Sequence, residues 1–147
     1  MNNSGIQSHT LYLEKAGVEE LYASSKEWKS DLDFFREDLQ FLRNLMRSYF
    51  IWIVEKGNAD DIRILNDGLN GLTRKCRCLI KKVDKHMESL VQVFEASYSE
   101  YFQRLSEEHS QLAVEVENLK KEFREVKKDV FVIAQHAIEI KKSQLLS

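Results

Sequence analysis

Two of the four histidines in this 147-residue chain occupy positions that an apolar rhythm otherwise reserves for Leu, Val or Cys. His86 lies in "KKVDKHMESL" between Val83 and Leu90, and His109 lies in "EEHSQL" between Leu105 and Leu112. Imidazoles on facing helices are the raw material of metal and small-ligand sites inside helical bundles. Together with Asp31 they would supply two or three ligands of the kinds that hold divalent transition metals. The spacings that metal-binding bundles use are missing, however. No Glu-x-x-His, His-x-x-x-His or His-x-x-x-Glu occurs, and the residues four after the two histidines, Leu90 and Ala113, cannot ligate.

The competing reading is a polar layer of Trp28, His86 and His109 that fixes helix register. In that layer the indole N–H donates to one imidazole, and the histidines bond to one another or to Asp31. Trp28 would also fill much of the space a metal needs. A pair of neutral buried imidazoles resists protonation, so such a layer could respond to pH. The sequence favours the layer, and no cofactor is expected.

The elements that position these residues are read from the apolar spacing. Three segments carry apolar residues at alternating steps of three and four: Val18 to Ile53, Ile62 to Val93, and Phe102 to Ile140. Each is a seam with a period of about 3.5 residues, the mark of helices packed lengthwise. Three helices of about 40 residues, roughly 60 Å each, are predicted. Gly57 suits a helix C-terminus, and Asn58 suits the next N-cap, with Asp60 and Asp61 in its first turn favoured by the helix dipole. Ser97 and Glu100 are spaced as a capping box, which gives a second turn. The run Leu90, Phe94, Tyr98, Phe102 leaves open a continuous helix through a stutter. Ser24 with Glu27 is a third such spacing, which would kink the first helix or start it later. Residues 1–16 show no sustained period and are expected to form a flexible or loosely packed N-terminal segment. Residues 17–147 then form a single helical-bundle domain.

Tight turns at both breaks would give one register, although two regular seams also match in registers about half a heptad away. Folding the second and third seams about Ser97 and Tyr98 puts Leu90 level with Leu105, Cys76 with Leu119 and His86 with His109. Folding the first helix back about Gly57 and Asn58 brings Trp28 to the level of the two histidines.

Charge and surplus hydrophobicity describe the outer faces. The basic stretch "RKCRCLIKKVDK" falls beside "SDLDFFREDL", so complementary charges flanking the first two helices explain it. With a net charge of −2 and few interleaved aromatics, nucleic acid is not expected as a partner. The mixed-sign stretch "ENLKKEFREVKKD" reads as a solvated face. The first helix carries more apolar residues than one seam needs, with Phe34, Phe41, Leu45 and Trp52 beside it. A helix buried on two sides needs a further cover: either the N-terminal "HTLYLEKAGV" folds over part of it or a second copy does, and a homodimer through this face is the preferred account.

The absence of Pro and the presence of only 5 Gly fit a strongly helical chain. The longest apolar run, "YFIWIV", is too short to span a bilayer. "MNNSGIQSHT" has no basic region leading into an apolar one, so no secretory signal is read there and a cytoplasmic location is expected. Cys76 and Cys78, two apart on a helix, point in different directions and suit neither a mutual disulfide nor one metal. No serine lies in a Gly-rich turn or beside a seam histidine in a way that suggests a nucleophile, and no phosphate-cradling Gly loop is present. The chain is not expected to be an enzyme.

"EWKSDLDFFREDLQFL" resembles the first helix of a family of uncharacterised bacterial helical proteins, whose pattern Trp-x-Ser-acid-Leu-x-Phe-aromatic matches Trp28, Ser30, Asp31, Leu32, Phe34 and Phe35. "KKVDKHMESL" and "EEHSQL" are similar to histidine-bearing stretches of that family's later helices. Its members carry a Pro-containing linker before the last helix, which this chain lacks. The resemblance implies a small cytoplasmic bundle and brings no activity and no site residue with it. The expectation is an all-α, antiparallel up-down-up bundle of three long helices with coiled-coil-like seams. Its expected role is a non-enzymatic, self-associating interaction or scaffold module, with metal binding at His86 and His109 as the alternative.

Overall fold

The structure, a computed structural model, describes residues 3–54, 59–96 and 99–146, with side chains over 15–50, 59–95 and 100–146. It consists of α1 (Asn3–Val54), α2 (Ala59–Ala96) and α3 (Ser99–Leu146), and the described residues contain no strand. The three helices form an all-α bundle. Both expected turns, at Gly57–Asn58 and Ser97–Tyr98, lie outside the described residues.

A continuous helix through the second break is excluded by geometry. His86 and His109 would stand roughly 34 Å apart on one helix, whereas their rings are bonded at 3.0 Å. The chain therefore reverses between them.

α1 is longer than expected. It begins at Asn3, so the backbone of the segment predicted to be flexible or loosely packed is helical from there on. That stretch holds no Pro, and helix extension costs little where a packed helix already supplies the nucleus. α1 also runs through Ser24 and Glu27 without a start there. The buried Ser25 donates to the carbonyl of Leu21 at 2.8 Å, which satisfies a hydroxyl placed in the seam.

The helices pack as two compact units, each drawing on all three. The first comprises Met1–Asp33 and Cys78–Glu117, the second Phe34–Arg77 and Asn118–Ser147. In the first unit α2 and α3 run antiparallel, with Lys82 bonded to Glu115 and His86 to His109. α1 runs antiparallel to α2, as Lys29 paired with Asp84 and Val18 clustered with Leu90 show. Val18, Leu90 and Leu105 form one core cluster, with Phe94 and Phe102 packed on it. Gly17 allows this closeness, because a Cβ there would stand 2.7 Å from Cζ of Phe102.

The second unit repeats the pattern. Lys75 pairs with Glu122 at 2.9 Å across α2 and α3. Asp38 pairs with Lys127 at 3.0 Å across α1 and α3. The Lys127 ammonium lies over the rings of Phe123 and Phe131 at 5.6 and 5.9 Å, where the ring quadrupole favours a cation. Leu39, Leu42, Met46, Leu69, Leu72, Cys76, Leu119 and Val130 make its buried interior.

The charge pattern is corrected in one respect. Lys75 and Lys82 of the basic stretch turn to Glu122 and Glu115 of α3, not to the acids of α1. Glu122 and Lys127 both come from the stretch read as a solvated face. A seam fixes which residues face inward but not which flank meets which neighbour. The two cysteines diverge as expected, Cys76 buried and Cys78 exposed, both as free thiols.

Candidate functional site

α2 carries His86 into the seam of the first unit between two fully buried residues, Val83 and Leu90, and His86 itself is 0% exposed. Burying an imidazole without partners would cost about 1–3 kcal/mol, so its bonds decide whether the position is tolerable. Both nitrogens are satisfied. Nδ1 is 2.8 Å from Oε1 of Glu108, and Nε2 is 3.0 Å from Nδ1 of His109.

The chemistry of the partners sets the tautomers. At neutral pH the Glu108 carboxylate has no proton to give, so Nδ1–H of His86 donates to it. The neutral ring then offers a lone pair at Nε2, and Nδ1–H of His109 donates into it. His109 is left with its lone pair at Nε2. The two rings are tilted by 35°, with centroids 5.2 Å apart.

Trp28 of α1 closes the layer. Its ring stacks on His109 with centroids 4.2 Å apart and an interplanar angle of 27°. The contact is through the ring face, where the sequence suggested an indole N–H bond. Burial, reinforced by the neighbouring charge that His86 can carry, lowers the His109 pKa from 6.5 to about 4. His109 is therefore neutral under ordinary conditions.

The three rings singled out by the sequence meet in one layer, and a fourth member was missed. Glu108, with a side chain 45% exposed, anchors the far end of the chain of bonds. Asp31 is half-buried one turn beyond Trp28, and the acid on His86 is Glu108. Among the described residues no group of three or more His, Cys, Asp or Glu side chains is arranged to hold a metal ion. The bonding itself is the more informative fact. Both nitrogens of His86 are engaged within the layer, so His86 has no lone pair to give a metal without breaking it.

Glu108 also lines an open cleft between α2 and α3, of about 530 Å³, with Lys85, Ser89, Tyr101 and Arg104 around it. This connects the anchored end of the layer to solvent.

The second unit presents the other candidate surface. Phe34 and Phe41 are 61% and 52% exposed on α1, and Leu45 is half-buried. Steps of seven and four place these three on one line along the helix. Trp52 follows on that line by position, while its side chain lies outside the described residues.

Comparison with known proteins finds no protein family, no curated protein and no solved structure that matches this chain.

Proposed function

We propose that the chain is a non-enzymatic interaction or scaffold bundle of the cytoplasm that self-associates as a homodimer through the outer face of α1 in the second unit. The observation that supports this reading is the exposure of Phe34 and Phe41, one heptad apart on one helix face. Large apolar side chains in line mark surfaces that are covered in the working assembly.

Magnitudes bound the interface. Covering the exposed part of each ring contributes about 1 kcal/mol, so four rings in a two-fold dimer give about 4 kcal/mol. The cost of association offsets a gain of that size, so these four rings alone do not hold a dimer at micromolar concentration. A tighter dimer needs the whole line from Phe34 to Trp52, about 27 Å of helix. No helix among the described residues is long and apolar enough to cross a membrane.

The test is light scattering of the intact chain beside the double variant F34E/F41E. A dimer in the parent and a monomer in the variant, with unchanged far-ultraviolet circular dichroism, supports the reading. Equal masses in both rule out this face.

A further inference from the structure

We propose that Glu108, His86 and His109 form a two-stage proton acceptor in the first unit: the first proton is stored in the layer without breaking it, and the second forces the rings apart.

The first stage follows from the bond directions. At neutral pH the layer reads Glu108 carboxylate, Nδ1–H of His86, Nε2 of His86, Nδ1–H of His109, and a bare Nε2 on His109. A proton arriving from solvent adds to that bare Nε2. The proton on Nδ1 of His109 then passes along the 3.0 Å bond to Nε2 of His86. The product is an imidazolium at His86 and a neutral His109 whose proton now sits on Nε2. Each hydrogen bond persists, with the one between the rings reversed in direction. The new positive charge lies against the Glu108 carboxylate at 2.8 Å, which makes that bond a charge-assisted one.

The second stage has no such outlet. Another proton must go to Nδ1 of His109, which is now the acceptor for Nε2–H of His86. Two donors and two positive charges would then face one another across 3.0 Å. Burial and the charge on His86 both oppose this step, and they are the causes that depress His109.

The charged groups on the surrounding turns do not remove the conflict. From α1, Lys29 is bound to Asp84 of α2, and Asp31 sits one turn past Trp28. From α2, Lys82 is bound to Glu115 of α3, and Lys85, together with Arg104 of α3, adds positive charge on the cleft that Glu108 lines. Glu108 is the carboxylate bonded to His86, and its charge is spent on the first proton. Trp28 supplies a ring face to His109 and no ionisable group.

The layer thus stays closed through mild acidification and opens in stronger acid. Its tautomers are distinctive: both rings carry the neutral-state proton on Nδ1, whereas free imidazole side chains favour Nε2.

The test is nitrogen-15 NMR of ring-labelled full-length protein carrying H9Q and H136Q, so that only His86 and His109 report. At neutral pH both rings should show protonated Nδ1 and bare Nε2. On mild acidification His86 should become doubly protonated while His109 switches to the Nε2–H form, with the backbone amide spectrum of the first unit retained. Near pH 4 His109 should become doubly protonated as that spectrum collapses. In E108Q, whose amide oxygen still accepts from Nδ1–H, the neutral tautomers should persist and the first uptake should move at least tenfold in proton concentration towards acid. A neutral-state proton on Nε2 of either ring, a single step charging both rings together, or an unmoved first uptake in E108Q would overturn the proposal.

Discussion

Nε2 of His86 and Nδ1 of His109, on residues 23 apart in the chain, are 3.0 Å apart and share one hydrogen bond. The bond turns two misplaced histidines into a satisfied layer, and it carries consequences for stability.

Stability should fall with acid over a defined window. His109 has its pKa lowered to about 4 when folded against 6.5 for an unperturbed histidine. Between these values the unfolded chain binds the proton that the folded one refuses. Its contribution is therefore complete above pH 6.5 and is lost progressively as pH falls through 4. The full difference would be about 3 kcal/mol. Solvent screening of a partly exposed ring reduces this to about 1–2 kcal/mol. Urea unfolding at a series of pH values checks it, and H109F should flatten this part of the profile.

Replacing His86 separates volume from polarity. His86→Ala leaves a cavity in a fully buried seam and should cost about 2–4 kcal/mol. His86→Leu refills the volume and leaves only the half-buried N–H of His109 to find water, a cost of about 1 kcal/mol. In His86→Leu the pKa of His109 should rise above its present value, since the neighbouring charge is gone while burial remains. Denaturant midpoints and histidine NMR read the two effects.

The glycines of the helices should respond in opposite ways. A Cβ at Gly71 meets nothing within 4 Å, so Gly71→Ala should stabilise by about 1 kcal/mol through helix propensity. Gly17→Ala places the same carbon 2.7 Å from the ring of Phe102, which is packed against the Val18, Leu90 and Leu105 cluster. Its propensity gain should be cancelled or reversed as the ring is displaced. Paired thermal melts decide the sign.

Metal content should stay below stoichiometric levels after incubation with iron, zinc or copper and desalting. The basis is that both nitrogens of His86 are already bonded within the layer. A stoichiometric metal that His86→Ala loses would reverse this reading of the layer.

The fold was legible because helical seams repeat. The three-and-four spacing defined three helices, and the turn positions alone put Leu90 level with Leu105 and His86 with His109, pairs that share a cluster and a hydrogen bond. What the spacing could not reveal was rotation about each helix axis. One residue of rotation is 100°. That angle decided that Glu108, beside His109 in the chain, would be the acid on His86, and that Lys75 and Lys82 would turn to α3. Three helices with given seams can be arranged in two hands, and the seams are the same in both. The helical start of α1 was missed for another reason: residues 3–16 lack a period, and helix can extend without one.

The most direct test of self-association is sedimentation equilibrium of the full-length protein across a concentration range from about 1 to 100 µM, spanning the affinities of specific dimers. The α1 face predicts a mass rising from 17.3 kDa to twice that value. A mass fixed at 17.3 kDa over the whole range would contradict it.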